Sequence, residues 1–299
     1  MASGPLPRRE RRLATGGGLR FLLGDLEQRR GKGAHVIVWQ DSWYAPHASN
    51  RLLHIYLPDW YHDTNERFPV MYFFDGHNLF FDDHATYGRS WRLERFLRRW
   101  EKPMIVVGLE CSHKDNERLS EYNPYNRRIL GRRMEGLGEE TFSWIIQDVK
   151  PAIDAQFRTW EHREATGIAG ASMGGLMSLY GVMCHNAVFG KAAALSTGIR
   201  FSRRNLLRDL GTATVSPDTR VYLSWGEREA GRLYEHEGAP GDPAWDSAEA
   251  RATHDVADAL EERGAAVMTR FVPGGRHREA DWERQVPGFM DFLWLDRSW

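Results

Sequence analysis

From residue 34 onward the chain alternates short apolar runs with longer stretches in which apolar positions recur at helical spacing. Residues 35–39 and 52–57 read as early antiparallel strands. The runs 68–74, 104–109, 165–170, 219–225 and 266–272 are rich in apolar, small and β-branched residues, the pattern of strands buried on both faces. Between them, residues 91–100, 139–157, 176–183, 248–263 and 281–294 carry helical periodicity. In the first of these, Trp91, Phe96, Leu97 and Trp100 form a candidate buried stripe. Strands alternating with helices predict an α/β fold, a mainly parallel central sheet of about eight strands with helices on both faces. We expect a single domain over 34–299, since an α/β chain of this length is routinely undivided.

Composition narrows the classes of partner. The 299 residues are 41% hydrophobic, enough for a large core, and the formal net charge is −1. With no basic domain, nucleic acid is not an expected partner. Residues 1–33 are rich in arginine and glycine, and their apolar run at 19–23 is too short for a secretory segment. We read there a loosely ordered arm with a short helix at 19–27, no signal peptide and no membrane span. Cys111 and Cys184 make no disulfide framework and read as small core residues, compatible with a reducing cytoplasm, the expected location. Residues 111–138 form a long polar stretch in which Arg127, Arg128, Arg132 and Arg133 lie beside Tyr122 and Tyr125. Such a loop can roof a site and hold an anionic ligand, or be a solvated face.

The strongest local signal is Gly170-Ala171-Ser172-Met173-Gly174-Gly175, a serine among small residues between a strand-like run and a helix-like one. This is the arrangement of a nucleophile elbow, in which glycines permit a tight strained turn and the serine hydroxyl projects at the carboxyl end of the strand. The Met173 amide then lies at a helix N-terminus, placed for an oxyanion. The competing reading is an ordinary turn whose serine caps the helix.

An elbow of this kind needs a base and an acid later in the chain. His277 follows the last predicted strand in Pro273-Gly274-Gly275-Arg276-His277 and is the candidate general base. Among the other histidines, His35, His54, His185 and His254 fall in strands, after a helix or within one, where structural roles suffice. Two carboxylates, Glu227 and Glu229, follow strand 219–225. Glu229 is the preferred acid, with Glu227, Asp246 and Asp255 open because a Gly- and Pro-rich insert at 230–246 intervenes. The apolar run 68–74 ends in Asp75-Gly76-His77-Asn78, where the His77 amide is the candidate second oxyanion donor, with Asn78 next in line. A metal cluster of Asp75, His77, Asp82, Asp83 and His84 is the rival reading of this segment. No paired-helix ligand spacing supports it, and neither a metal nor another cofactor is expected.

These residues resemble the esterase D/enterochelin esterase group, a branch of the α/β-hydrolases. Asp75-Gly76-His77-Asn78-Leu79-Phe80 resembles its Asp-Gly-x-Asn-x-Phe turn, followed by Trp91. Arg118, Glu121, Tyr122 and Pro124 resemble its Arg-x-x-Glu-Tyr-x-Pro segment, and Lys150-Pro151-Ala152-Ile153-Asp154 the end of the helix before its elbow. Phe189-Gly190-Lys191, then Gly274-Gly275-Arg276-His277 with Trp282, complete a resemblance over roughly residues 35 to 295. It implies an α/β-hydrolase that cleaves carboxylic esters through an acyl-serine without metal, with Ser172 as nucleophile, His277 as base and an acid in the position of Glu229. Gly226-Glu227-Arg228-Glu229 departs from the group's Gly-Thr-x-Asp or Gly-Thr-x-Glu run and leaves the acid open.

The substrate is expected to be a small-molecule ester, with a siderophore-type or aryl ester favoured by the resemblance and the arginines. Asn78, Tyr122 and Trp282 are candidate substrate contacts, and Trp225 with Trp282 a candidate lining of an apolar pocket. An acyltransferase on the same fold, or a catalytically silent hydrolase fold used for binding, are the alternatives. The sequence is silent on oligomeric state.

Overall fold

A computed structural model describes residues 36–129, 132–229 and 248–295. The first half contains β1 (Val36–Tyr44), β2 (Ser49–Tyr56), β3 (Val70–Phe74), α1 (Leu93–Leu97), β4 (Ile105–Leu109), α2 (Glu117–Glu121), β5 (Arg127–Ile129), β6 (Arg132–Met134), α3 (Gly138–Trp144) and α4 (Lys150–Gln156). The second contains β7 (Thr166–Ala171), α5 (Met173–Cys184), β8 (Lys191–Leu195), α6 (Arg203–Thr212), β9 (Arg220–Arg228), α7 (Ala248–Glu261), β10 (Ala266–Arg276), α8 (Glu279–Glu283) and α9 (Val286–Trp294).

Eight strands form one sheet in the order β1-β2-β4-β3-β7-β8-β9-β10. The first two pairings are antiparallel and those from β4 to β10 are parallel. The α/β expectation is met. Strand alternation explains why both faces are covered: Val70, Tyr72 and Phe74 of β3 enter one core with Phe142, Leu179, Leu206 and Val256, from α3, α5, α6 and α7. Met71 and Phe73 of the same strand enter the other, with Trp91, Leu97, Trp282 and Phe289. Residues Gly174–Met183 of α5 are buried without a break, so this helix lies inside the layered structure rather than on its surface.

Several elements depart from their sequence patterns for identifiable reasons. The stretch 91–100 is helical only over Leu93–Leu97; Trp91, Leu97 and Trp100 are buried, but Phe96 is only partly so. The last helical stretch is two helices, α8 and α9, because Pro287 at the start of α9 lacks an amide and favours a first-turn position. The helix at 139–157 is real but passes through a π-helical segment, Ile145–Val149, between α3 and α4. No pattern announced α6, a polar helix whose buried residues are Leu206 and Leu210. Strand β10 does not end at Val272: after a register shift it pairs again at Arg276 with Arg228, so the expected Gly-rich loop is a bulged strand. Cys111 is buried as expected, whereas Cys184 is exposed at the end of α5 and is not a core residue. The arm at 1–33, its helix at 19–27 and the insert with Asp246 lie outside the described residues.

One feature of the sheet positions everything that follows. Three adjacent strands, β3, β7 and β8, each end at a non-glycine residue with left-handed φ: Asp75 (59°), Ser172 (59°) and Ser196 (51°). Such geometry costs on the order of 1–3 kcal/mol per residue and persists only where packing enforces it. Around Ser172 the enforcement comes from absent side chains. A Cβ on Gly170 would fall 2.6 Å from the Gly174 carbonyl carbon, and one on Gly175 2.7 Å from the Leu195 carbonyl oxygen. Gly170→Ala should therefore destabilise the protein by about 2–3 kcal/mol, seen as a lower midpoint in urea unfolding, and should lower activity even where the protein remains folded.

Candidate active site

The elbow forms where the sequence places it. Ser172 follows β7, donates its amide to the Leu195 carbonyl at 2.9 Å and accepts the Leu176 amide on its own carbonyl at 3.0 Å. Its side chain makes no capping hydrogen bond to α5, which removes the alternative of a helix-capping serine. The hydroxyl is left to other chemistry. Met173 is the first residue of α5, so its amide has no partner within the helix.

Asp75-Gly76-His77-Asn78 makes a 3-10 turn at the end of β3. Gly76 is obligatory there, since a Cβ would come within 2.6 Å of the backbone of Gly108 in β4. The turn's own hydrogen bonds are Asn78 and Leu79 amides to the Asp75 and Gly76 carbonyls, so the His77 amide lies among its first, intrahelically unpaired donors. Asn78 ties the turn to the following loop by accepting the Thr86 amide at 2.9 Å.

Asp75 holds the turn from below. Its carboxylate accepts two hydrogen bonds from the Arg118 guanidinium, at 2.7 and 2.6 Å, and one from the Cys111 thiol at 3.5 Å. Burial alone would raise the Asp75 carboxyl, but Arg118 outweighs it, with help from His77 and Cys111, and holds it below its ordinary value. The Asp75 amide donates to the Tyr122 hydroxyl at 3.2 Å. Glu121 accepts from the buried Arg51 and from the Ser112 amide. Tyr122, a candidate substrate contact in the sequence, is 2% exposed with its hydroxyl engaged. It braces the turn instead of facing a ligand.

The histidine and the acids come together at the ends of β8, β9 and β10. His277 follows β10, with its side chain 39% exposed, and its Nδ1 lies 3.7 Å from Glu229 Oε2. The other Glu229 oxygen accepts the Gly226 amide at 2.6 Å and the Ser196 hydroxyl at 2.5 Å. The Trp282 indole N–H donates to the same Ser196 oxygen at 2.8 Å, and its ring meets the His277 imidazole edge-on at 5.1 Å. Glu227 turns away to accept the Gly274 amide, and Asp255 is in an exposed pair with Arg203. Of the carboxylates considered within the described residues, Glu229 is the one against the imidazole. A hydrogen bond to Ser172 is not among the His277 contacts; such bonds tighten when substrate binds.

Two candidate contacts change character. Trp282 is 7% exposed and supports His277 from within the core, and Trp225 is 3% exposed, packed on His254 and Phe271. Both are buried side chains packed against the protein's own rings. The metal cluster considered from sequence does not assemble either, since Asp75 is committed to Arg118 and Asp82 to Arg92 and Ser90.

Sequence reasoning missed Ser196 and Glu279. Ser196 had a faint signal, a Ser-Thr-Gly run directly after the small apolar stretch 192–195. Glu279 is buried; burial and the Asp75 charge raise its carboxyl, opposed by His277 and Arg118, so it lies within electrostatic reach of Asp75, His277 and Arg118.

Comparison with known proteins gives the family and the fold. A family model described as "Putative esterase" matches residues 47–291. Protein YbbA of Bacillus subtilis is 27% identical over 186 residues, 61% of this chain and 70% of that one. An IroE-like serine hydrolase from Shewanella oneidensis superposes with a TM-score of 0.66 at 19% identity, over 87% of this chain and 80% of that one. The enterobactin esterase FES from Shigella flexneri, solved in the presence of enterobactin, gives 0.64 at 18% identity, over 88% of this chain and 59% of that one.

The Asp75–Arg118 pair generates a stability test. Because the folded pKa of Asp75 lies below its unfolded value, the pair's contribution is complete above the ordinary carboxylate range and is lost as pH falls through the depressed value. Arg118→Met should cost about 3 kcal/mol at neutral pH, measured by urea unfolding. The difference from wild type should shrink in strong acid.

Proposed function

The chain belongs to the Putative esterase family and is a carboxylic ester hydrolase, and from that premise we propose that it acts as a serine hydrolase through an acyl-enzyme on Ser172. One observation carries this reading: the Ser172 hydroxyl stands on a strained turn, released from helix capping, beside the first amide of α5. Backbone strain held in place by packing is common where a side chain must be presented to a ligand, and this supports the reading.

In the mechanism, His277 takes the Ser172 proton and Ser172 Oγ attacks the ester carbonyl. The Met173 amide stabilises the resulting oxyanion, with the His77 amide as the second donor. The imidazolium returns its proton to the departing alcohol. Water, deprotonated by the same imidazole, then attacks the acyl-serine and releases the acid. Glu229 fixes the imidazole orientation and stabilises the imidazolium; moving closer by roughly 0.8 Å would turn its 3.7 Å approach to Nδ1 into an ordinary hydrogen bond. Ser196 and Trp282 position this acid and base.

The substrate is a small-molecule ester. Within that class we favour a siderophore-type or aryl ester, supported by the fold shared with the enterobactin esterase. No helix among the described residues is long and apolar enough to cross a membrane.

Hydrolysis of p-nitrophenyl acetate and butyrate tests the reading. Ser172→Ala and His277→Ala should each lower kcat/KM by about a thousandfold or more, and Glu229→Gln by about a hundredfold. A fluorophosphonate should add to Ser172 and nowhere else. A wild-type protein that takes no adduct and hydrolyses no faster than the variants would refute the serine mechanism.

A further inference from the structure

Beside the Asp75–Asn78 turn lies a cluster that the ester chemistry leaves unused. His77, Glu110 and His113 each present one ligand atom, and the three atoms lie within 4.8 Å of one another. The residues come from three places: the turn after β3, the end of β4 and the loop that follows it. From these residues we propose a binding site for one divalent transition-metal ion of the zinc class, with two imidazoles and a carboxylate as protein ligands.

The chemistry of each ligand suits the role. His77 is 7% exposed, and its Nδ1 is fully buried without a hydrogen-bond partner. Such an orphaned nitrogen is uncommon in a folded protein and asks for a ligand. Its other nitrogen, Nε2, meets the Thr86 hydroxyl at 3.0 Å. That contact would fix the ring tautomer with Nδ1 as the lone-pair donor, as outer partners of metal-bound histidines commonly do.

Glu110 supplies the carboxylate. His54 Nε2 binds Oε2 at 2.8 Å, which orients the carboxylate and leaves Oε1 towards His113 Nε2, at 2.5 Å. The His113 side chain is 58% exposed and offers both an entry path and freedom to adjust.

Ligand atoms around a tetrahedral zinc lie about 3.3 Å apart, given zinc–ligand bonds near 2.0 Å. The present spread of up to 4.8 Å therefore has to close by roughly 1.5 Å. The exposed His113 side chain can move towards the ion, exchanging its bond to Glu110 for a bond to the metal, while the rest of the closure falls on the His77 turn and the Glu110 carboxylate. Solvent completes the coordination. The ion takes no step in ester cleavage; it pins the turn that carries the His77 amide. Its binding does not depend on the serine mechanism.

Chelator-treated full-length protein, desalted and titrated with Zn²⁺ in competition with a chromophoric chelator, tests the proposal. We expect one equivalent bound, and at least tenfold weaker binding in both His113→Ala and Glu110→Gln, with circular dichroism confirming that each variant is folded. Co²⁺ should give the visible absorption of a low-coordinate nitrogen and oxygen site, lost in His113→Ala. His47→Ala serves as a control, because His47, Glu117 and Glu121 form a second group of possible ligands. Binding of less than one equivalent, equal affinity in wild type and His113→Ala, or loss confined to His47→Ala would each overturn the assignment.

Discussion

The site rests on one geometrical constraint: three neighbouring parallel strands leave the sheet through left-handed residues that are not glycine. A strand followed by a gentle turn would send the next residue away over the sheet edge. These abrupt exits turn Asp75, Ser172 and Ser196 into a row along the carboxyl ends of β3, β7 and β8. Each is stabilised differently. Ser172 is held by close backbone packing of glycines, Asp75 by Arg118 and Tyr122, and Ser196 by its bonds to Glu229 and Trp282. The conformational cost is thus spread over packing, charge and hydrogen bonding, so no single interaction carries all of it.

The charged groups near the row follow from what burial demands. A buried carboxylate without a partner costs several kcal/mol, so Asp75 and Glu121 are tolerable only because Arg118 and Arg51 reach them. This gives the Arg118, Glu121 and Tyr122 grouping a mechanical meaning. On one turn of α2, one residue neutralises the Asp75 side chain and the adjoining tyrosine supplies an acceptor for its amide. Arg118, in the segment that resembles the Arg-x-x-Glu-Tyr-x-Pro motif, is committed to the protein's own carboxylate.

What could be read from the sequence was what depends on local pattern. The period-two alternation of β3 and the glycines flanking Ser172 fix their neighbours' environments within a few residues, and the structure follows them. The path of β10 was less legible, because Pro273-Gly274-Gly275 is equally the composition of a loop and of a bulge; only pairing with β9 decides. The single break between α8 and α9 could have been anticipated from Pro287. The arrangement of acids could not. Glu227 and Glu229 differ in direction by their place at the end of β9, and the Glu229 partners, Ser196 and Trp282, are distant in sequence. The burial of Tyr122 and the meeting of His77 with Glu110 and His113 are likewise products of tertiary folding, invisible to any window of sequence.

The order of strands has a consequence for the nascent chain. Ser172 follows β7, a strand near the middle of the sheet, while His277 follows β10, the last strand and an edge of the sheet. During synthesis the elbow emerges more than a hundred residues before the imidazole, by simple subtraction of the two positions. Contacts so far apart in sequence close late, after loop-closure entropy has been overcome. On the proposed mechanism, a partly made chain therefore holds its serine for some time without its base. If the proposed serine mechanism holds, completion of the final strand is also the moment at which the serine first meets its base, so the last strand of the sheet closes the site as well as the fold.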